Sequence, residues 1–169
     1  MKFTLFAAPL ALAVSTVAMP SWEHPHLTRH VNNVTLGNFI ANSANGFFPA
    51  PGNDGWASAF DIAFAKNVSA TFNDGTYTFD QFKAYFGAIK ANLEAKYQTF
   101  EHSFTSLVAV SAQGGNTGGY VVVTGFEGGL VSGTPVYGTD AAYAVVREIN
   151  GQLKIVEWHE ITNLGAPIA

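Results

Sequence analysis

The sequence predicts an α+β domain in which a curved antiparallel sheet wraps over three helices. Two patterns carry this prediction. Residues 56–97 have the pattern of a helix, a tight turn between extended residues, and a longer helix, and residues 98–162 alternate as strands do. A sheet that bends over helices encloses an apolar cone, which is a natural shape for a small-molecule pocket.

The longer helix has the clearest signal. Apolar side chains recur every three or four residues and therefore share one stripe of a helix: Phe79, Phe82, Phe86, Ile89, Leu93 and Tyr97. Thr78 is the expected cap, and Gln81 has the capping-box spacing from which it reaches back to the helix start. Asp80 suits the positive end of the helix dipole.

Two further helices are expected before it. The spacing of apolar residues predicts the first from Leu36 to about Gly46, and Trp56, Phe60 and Ala63 define a short second one. Residues 48–55 are rich in proline and glycine and are expected to form a loop, with Asp54 capping the second helix.

The strands are separated by turn signals. Residues 68–72 and 76–78 flank the Asn73-Asp74-Gly75 turn and predict a small hairpin. Four longer strands follow in a meander, joined by glycine-rich loops at residues 113–119 and 128–135 and by a two-residue turn at Asn150-Gly151. These strands are expected at 98–112, 117–130, 136–149 and 153–162.

The N-terminus has the pattern of a secretory signal. Lys2 precedes an apolar run to Val14, and small residues suit cleavage near Ala18. The alternative is a buried helix. We therefore expect a signal peptide over residues 1–18, an arm over 19–34, a single domain over 35–169, and a secreted, extracellular protein. Asn33 and Asn67 begin N-glycosylation sequons, which agree with secretion.

Composition excludes several kinds of partner and site. There is no cysteine, so the fold relies on packing without disulfides or thiolate metal sites. Acidic residues number 12 against 8 basic ones, and no basic stripe occurs. Neither nucleic acid nor an anionic membrane is therefore an expected partner.

At this level of detail the chain resembles the NTF2-like superfamily, particularly its SnoaL-like branch, and is similar to secreted fungal members. The resemblance rests on "WASAFDIAFAKNVSATFNDGTYTFDQFKAYFGAIKANL" and on the terminal "INGQLKIVEWHEITN". It implies a cone-shaped α+β fold, a pocket between sheet and helices, and frequent homodimers. Relatives such as ketosteroid isomerases, scytalone dehydratase and polyketide cyclases use pocket Asp, Tyr or His side chains for proton transfer.

Other chemistries have weaker support. No Gly-x-Ser-x-Gly elbow occurs. The glycine pairs at 114–115 and 118–119 join strand to strand, so a hairpin loop is favoured over a phosphate loop, which needs a following helix. His24, His26 and His30 could chelate a metal, but a solvated tail is favoured. We expect neither a metal nor a cofactor.

His102 is the first catalytic candidate. On an extended chain it shares a face with Phe100, Phe104, Val108 and Val110, which we interpret as the concave face. A histidine in an apolar cone could act as an acid or base near neutral pH, with Phe104 beside the ligand. The alternative is a hydrogen-bonded histidine of the core or rim.

His159 and Glu157 form the second candidate pair. They lie two residues apart on one strand face, together with Ile155 and Ile161, at about 7 Å between α-carbons. A solvated pair, or one that faces a subunit interface, is the alternative.

Four further residues are candidates for contact with a ligand. Asp61 lies on the short helix, and Tyr85, Tyr137 and Tyr143 could donate a hydroxyl to a ligand carbonyl. Three acidic residues have the opposite strand parity from Tyr137 and Tyr143 and are expected to be solvated: Glu127, Asp140 and Glu148.

Three functions remain open. The first is binding of a small apolar or aromatic molecule in the cone, with catalysis, if present, of the cofactor-independent lyase or isomerase type. The second is a non-catalytic interaction or effector-like protein, favoured by the few polar groups at predicted concave positions. The third is a structural dimer whose cone is filled by phenylalanine.

Overall fold

The computed structural model describes residues 32–113 and 117–164. The predicted leader, the arm up to residue 31, the histidines at 24, 26 and 30, and the first glycine pair lie outside these ranges. The elements follow one another as α1 (Asn33–Phe47), α2 (Trp56–Ala63), β1 (Phe64–Phe72), β2 (Gly75–Tyr77), α3 (Phe79–Lys96), β3 (Thr99–Ser111), β4 (Gly118–Val131), β5 (Thr134–Ile149) and β6 (Gln152–Thr162).

The strands form one six-stranded sheet in the order β2-β1-β6-β5-β4-β3. Consecutive strands from β3 to β6 are antiparallel, as predicted. The expectation of a wholly antiparallel sheet is wrong at one place, because β1 and β6 run parallel. This pairing joins the early hairpin to the end of the meander and makes the sheet mixed.

Helix α3 begins as the sequence predicts. The side-chain oxygen of Gln81 accepts a hydrogen bond from the backbone N–H of Thr78 at 2.9 Å, which satisfies a donor at the helix start. Helix α1 begins at Asn33, three residues before the predicted Leu36. It does so because the Asn32 side chain caps it by accepting from the Thr35 N–H at 2.8 Å.

The prediction that Asp54 caps α2 is wrong. The cap position is occupied by Gly55, which has no side chain to contribute. The carboxylate of Asp54 is instead 3.5 Å from the Lys90 ammonium. Within the described residues, no helix is both long enough and apolar enough to cross a membrane.

The core is a cluster of aromatic rings between the helices and one half of the sheet. Phe60 stacks on Phe64 at 4.3 Å, and Phe47 meets the ring of Trp158 edge-on at 5.4 Å. These side chains are nearly or fully buried. Buried aromatic rings contribute large apolar areas, so packing of this kind stabilises a chain that has no disulfide.

A bulge in β3 changes which side chains face the helices. The pairing with β4 shifts between Phe104 and Ser106, so one residue is left unpaired and the alternation reverses. Leu107 and Ala109 therefore pack against the core. The prediction that Val108 and Val110 line the concave face is wrong, since they are 59% and 57% exposed.

A second shift in pairing, between Val145 and Val146, separates Ile155 from its predicted neighbours on β6. Ile155 is fully buried opposite Val146, whereas Glu157 and His159 lie on the outer face. The prediction that Ile155 shares a face with His159 is therefore wrong. The cause is again a local irregularity that strict alternation does not anticipate.

The hairpin turns are tight. Asn150 and Gly151 have φ of 53° and 77°, the left-handed pair expected for a two-residue turn. Ser132 and Gly133 adopt nearly the same angles, 50° and 77°. The predicted loop at 128–135 is consequently only this turn, and Pro135 lies within β5 opposite Leu130.

Candidate functional site

The concave face of the sheet has an apolar end and a polar end. Under α1 and α2 it presents Val121, Val123, Ala144 and Val146, all buried. Towards the other end each of four adjacent strands contributes one titratable side chain. We call these residues, with Thr162, the polar cluster: His102 on β3, Glu127 on β4, Asp140 on β5, and Glu160 and Thr162 on β6.

Strand register brings the members of the polar cluster together. His102 lies opposite Glu127, and Asp140 lies opposite both Gly125 and Thr162. The prediction that Glu127 and Asp140 are solvated is wrong, because they are only 4% and 6% exposed. That prediction assumed that Tyr137 and Tyr143 point inwards, whereas these tyrosines are 43% and 38% exposed. Glu148 is exposed, as expected.

His102 and Asp140 form the centre of the polar cluster. The imidazole Nε2 is 3.6 Å from Asp140 Oδ2, and the two side chains are 9% and 3% exposed. That separation is too long for a good hydrogen bond, and the contact is an ion pair only when the imidazole is protonated. His102 shares one face of β3 with Phe100 and Phe104, as predicted, and this face is the one that Phe48 packs against.

Aromatic rings enclose the imidazole. Phe48 stacks on His102 at 4.4 Å and on Phe100 at 5.8 Å, while Phe104 meets His102 edge-on at 5.0 Å. The Asn53 amide holds the loop that carries Phe48, because it donates to the carbonyls of Gly46 and Phe48, each at 2.9 Å. Phe48 thus covers the imidazole from the α1–α2 loop.

Burial dominates the electrostatics of the two glutamates. Desolvation raises the pKa of Glu127, although the hydroxyl of Thr162 donates to its carboxylate at 2.6 Å and opposes the rise. Burial also raises the pKa of Glu160 to about 8, against the hydrogen bond that the Trp158 indole donates at 2.8 Å. Glu160 is therefore protonated at neutral pH.

Tyr85 borders the polar cluster from α3. Its ring stacks on Tyr77 at 4.9 Å and packs against Phe72 at 5.2 Å. Burial is the main reason that its pKa is raised, and the nearby Tyr77, Glu160 and Glu127 add to the rise. Of the predicted ligand contacts, Phe104 thus contacts His102, whereas Tyr85 lies on the Glu127 and Glu160 side of the polar cluster.

Three buried polar atoms have no hydrogen-bond partner among the described residues: His102 Nδ1, Asp140 Oδ1 and the Tyr97 hydroxyl. An unsatisfied buried group costs about 1–3 kcal/mol. Such atoms become satisfied when a bound molecule or water supplies the missing donor or acceptor. Two of the three belong to the His102–Asp140 pair, where a proton could be exchanged.

The second candidate pair is assembled, but on the convex face. His159 Nε2 is 3.7 Å from Glu157 Oε2, and its Nδ1 shares a hydrogen bond with the Thr71 hydroxyl at 2.9 Å. The Tyr143 ring stacks on the imidazole at 4.5 Å, and its hydroxyl donates to Glu157 at 3.4 Å. This group is separated from His102 by the sheet.

Two predicted ligand contacts lie elsewhere as well. Tyr137 is on the convex face and donates its hydroxyl to Glu101 at 2.9 Å. Asp61 is on the outer side of α2, where its carboxylate accepts from Lys83 at 2.7 Å and is 3.9 Å from Lys66. The structure does not bring either residue to the polar cluster.

Both sequon asparagines are exposed. Asn67 lies on β1, and Asn33 lies at the start of α1. The Asn33 side-chain oxygen accepts from the Ser111 N–H at 2.7 Å.

An open groove of about 410 Å³ lies between α1 and β3. It is distant from His102 along the sheet, and no titratable side chain is among its lining residues, which are Asn33, Val34, Gly37, Asn38, Ala41, Leu107 and Ala109. Size alone therefore does not make this groove the better candidate, because the groups able to move a proton lie in the polar cluster.

Sequence reasoning missed Glu127, Asp140, Glu160 and the covering Phe48. The sequence does contain a pattern that indicates burial of Glu127. Counting by twos from the strand core at Val121 and Val123 reaches Gly125 and then Glu127, all on one face. Nothing local in the sequence indicates that Phe48 covers His102, since they are far apart along the chain.

Comparisons with known proteins address the fold. No protein-family model matches the sequence, and no curated protein does. A solved structure of nuclear transport factor 2 from Cryptosporidium parvum is similar, with a TM-score of 0.58 and 14% identity over 79% of this chain and 97% of that one. The chain has the NTF2-like fold.

Other NTF2-like structures agree. A putative ketosteroid isomerase from Shewanella frigidimarina has a TM-score of 0.57 and 13% identity over 74% of this chain and 93% of that one. The β subunit of a benzoate 1,2-dioxygenase from Burkholderia mallei has a TM-score of 0.59 and 11% identity over 79% of this chain and 92% of that one. At such identities the likeness shows the fold alone, and a fold of this kind does not fix the chemistry of the side chains that it carries.

Proposed function

We propose that the cone of this protein binds a small apolar or aromatic molecule and that His102 transfers a proton on it without a cofactor. The observation that carries the proposal is the buried His102–Asp140 pair, with 3.6 Å between Nε2 and Oδ2. Isomerisation, dehydration or cyclisation of a carbonyl compound would fit this chemistry, as the resemblance to the SnoaL-like branch implies.

The proposed step uses three groups. The neutral imidazole of His102 removes a proton beside the carbonyl, and the Asp140 carboxylate stabilises the imidazolium that forms. The hydroxyl of Tyr85 is the proposed donor to the developing oxyanion, since its ring borders the polar cluster. Phe100 and Phe104 supply the apolar walls that hold an aromatic ring.

Proton transfer is tested by deuterium exchange. The full chain is incubated in D₂O with a panel of aryl ketones that carry exchangeable α-protons, and incorporation is followed by mass spectrometry. We expect exchange faster than in buffer, and its loss in His102→Gln but not in the matched control His159→Gln. Exchange that is lost in His159→Gln and kept in His102→Gln would move the chemistry to the convex face.

The convex face favours a second, interaction role. A row of side chains crosses it in register: Val108, Val122, Tyr143, His159 and Thr71. Val122 is 50% exposed, and Tyr120 and Ile161 beside the row are 50% and 70% exposed. Exposed apolar side chains gathered in this way are typical of association surfaces.

We propose that the convex face binds a second copy of this chain. Glu101 lies at one end of the convex face and Arg147 at the other, next to Tyr120. A two-fold axis perpendicular to the strands would place each acidic end over the partner's basic end. The homodimer does not depend on catalysis and also suits the non-catalytic interpretation.

We further propose that the protein is secreted and glycosylated. The support is the leader pattern at residues 1–18 and the exposure of both sequon asparagines. Intact mass of the protein from its own host, before and after enzymatic removal of N-glycans, tests cleavage near Ala18 and occupancy of Asn33 and Asn67. An uncleaved, unmodified chain would contradict both parts.

A further inference from the structure

The polar cluster contains carboxyl groups but no lysine or arginine. Three carboxyl groups project from adjacent strands, and the only other titratable group of the polar cluster is one imidazole. Every lysine and arginine of the described residues lies elsewhere: Lys66, Lys83, Lys90 and Lys96 on or beside the outer helices, Lys154 bonded to the Ile62 carbonyl, and Arg147 over Tyr120. An anionic ligand would therefore meet no fixed cation there.

One carboxylate oxygen of the polar cluster accepts no hydrogen bond from the described residues. Asp140 has a side chain that is 3% exposed, and its Oδ1 has no hydrogen-bond partner among the described residues. The imidazole approaches only the other oxygen, Oδ2, and does so at 3.6 Å. Asp140 Oδ1 is thus a buried acceptor that lacks a donor among the described residues.

Aromatic rings stand beside this acceptor. Phe104 pairs across the strands with Gly125, which in turn pairs with Asp140, so its ring lies on the same face two strands away. Phe48 and Phe100 stack with each other at 5.8 Å on the other side of His102. The faces of such rings attract a cation, and a carboxylate beside them strengthens the preference.

We propose that the ligand of the cone carries a protonated amine on an aromatic framework. Its ammonium group donates to Asp140 Oδ1, near Glu127, and its ring packs against Phe100 and Phe104. This inference rests on the proposed function and narrows its substrate class to aromatic amines and amino ketones. A carboxylate at the same place would be repelled by Asp140 and Glu127.

Three probes of similar shape test the inference by calorimetry on the full chain at pH 7: 2-phenylethylamine, 2-phenylethanol and 3-phenylpropanoate. We expect the amine to bind about tenfold more tightly than the alcohol, as a hydrogen bond to a charged group allows, and the carboxylate most weakly. The inference is overturned if the amine binds no more tightly than the alcohol. Measurable binding of the alcohol would then leave the proposed function standing, whereas no binding of any probe would remove both.

Substitutions test which carboxylate causes the preference for the amine over the alcohol. Asp140→Asn keeps the shape of the side chain and should bring the affinities for amine and alcohol close together. The matched control Asp74→Asn, on the exposed turn between β1 and β2, should keep their ratio. Glu127→Gln should lower the ratio by a smaller factor and serves if Asp140→Asn does not fold. A ratio unchanged in folded Asp140→Asn would place the ammonium elsewhere and overturn the assignment.

Discussion

Gly125 provides the space in which Asp140 lies. A β-carbon at residue 125 would be 2.6 Å from Asp140 Oδ1 and 2.6 Å from the carbonyl oxygen of Ser103. Backbone atoms cannot move aside cheaply, and the carboxylate would have to leave its position opposite His102. The residue type at this position therefore decides whether the pair can form.

Gly125→Ala should consequently destabilise the protein by about 1–3 kcal/mol, as overpacking does. The same substitution at Gly87, on α3, should stabilise by about 0.5–1 kcal/mol, because a β-carbon there makes ordinary contact with Trp56 at 3.7 Å and the helix loses a glycine. Urea unfolding measures both. Equal effects of the two substitutions would contradict the described packing at Gly125.

Glu160 links stability to pH. Its pKa is about 8 in the folded chain against 4.5 when unfolded. Between these values the folded state holds a proton that the unfolded state has released, so the free energy of unfolding falls as pH rises through this window. The slope reaches about 1.4 kcal/mol per pH unit for one proton.

Glu160→Gln should flatten this slope and raise the free energy of unfolding at pH 8 relative to wild type. Some slope of the same sign should remain, because the pKa of Glu127 is raised too. The control Glu148→Gln, on an exposed side chain, should keep the wild-type slope. Stability of wild type that rises from pH 5 to 8 would show that Glu160 is not buried as described.

At the scale of elements, the α1–α2 loop governs access to His102. Phe48 covers the imidazole, and the Asn53 amide fixes that loop through two carbonyl hydrogen bonds. The loop itself was predictable from its prolines and glycine, whereas its role as a cover was not.

Asn53→Ala should loosen the loop and expose His102. We expect faster modification of His102 by diethyl pyrocarbonate, followed peptide by peptide in the mass spectrometer, with a stability loss of about 1–3 kcal/mol. Asn45→Ala, at an exposed position of α1, is the control. An unchanged modification rate at His102 in Asn53→Ala would mean that Phe48 does not shield the imidazole.

Helix α3 and the meander from β3 to β6 could be predicted because both depend on periodic burial and on local turn chemistry, whereas the parallel pairing of β1 with β6 could not. The pair Thr78 and Gln81 indicates a helix start, and Asn150-Gly151 indicates a tight turn, each within a few residues. The bulge after Phe104 could not be predicted, since it has no local signature and reverses the alternation beyond it. The faces predicted for Val108, Val110 and Ile155 were therefore wrong, because each of these residues lies near a shift in strand pairing.

The polar cluster was only partly predictable for a related reason. His102 was placed correctly from its apolar neighbours on β3. The carboxyl groups of Glu127 and Asp140 were assigned to solvent because charged residues are rarely buried and because aromatic neighbours were taken to mark the core. Here the tyrosines mark the convex face, which a single chain leaves exposed.

For the molecule as a whole, that exposed face is the surface proposed for association with a second copy. Val122→Glu, in the row of side chains that crosses the convex face, should convert the proposed dimer to a monomer, because a buried unpaired charge at an interface is costly. Sedimentation velocity measures the change. The control Ile62→Glu, at a position of α2 that is 69% exposed, should leave the dimer intact. A wild-type monomer, or a Val122→Glu protein that sediments like wild type, would contradict the proposed interface.

The whole-molecule arrangement also explains why the two histidine groups differ. The sheet separates His102, covered by aromatic rings, from His159, which lies with Tyr143 on the side proposed for the partner. One surface of the same sheet thus presents buried acids and an imidazole, while the other presents exposed apolar side chains. Ligand handling is assigned to the first.

Native mass spectrometry of the protein purified from its own host tests this assignment most directly. We predict that the folded chain retains a small molecule that denaturation releases, that His102→Gln loses it, and that His159→Gln keeps it. A wild-type protein that carries no mass beyond its chain and glycans, or a retained molecule unaffected by His102→Gln, would contradict the account.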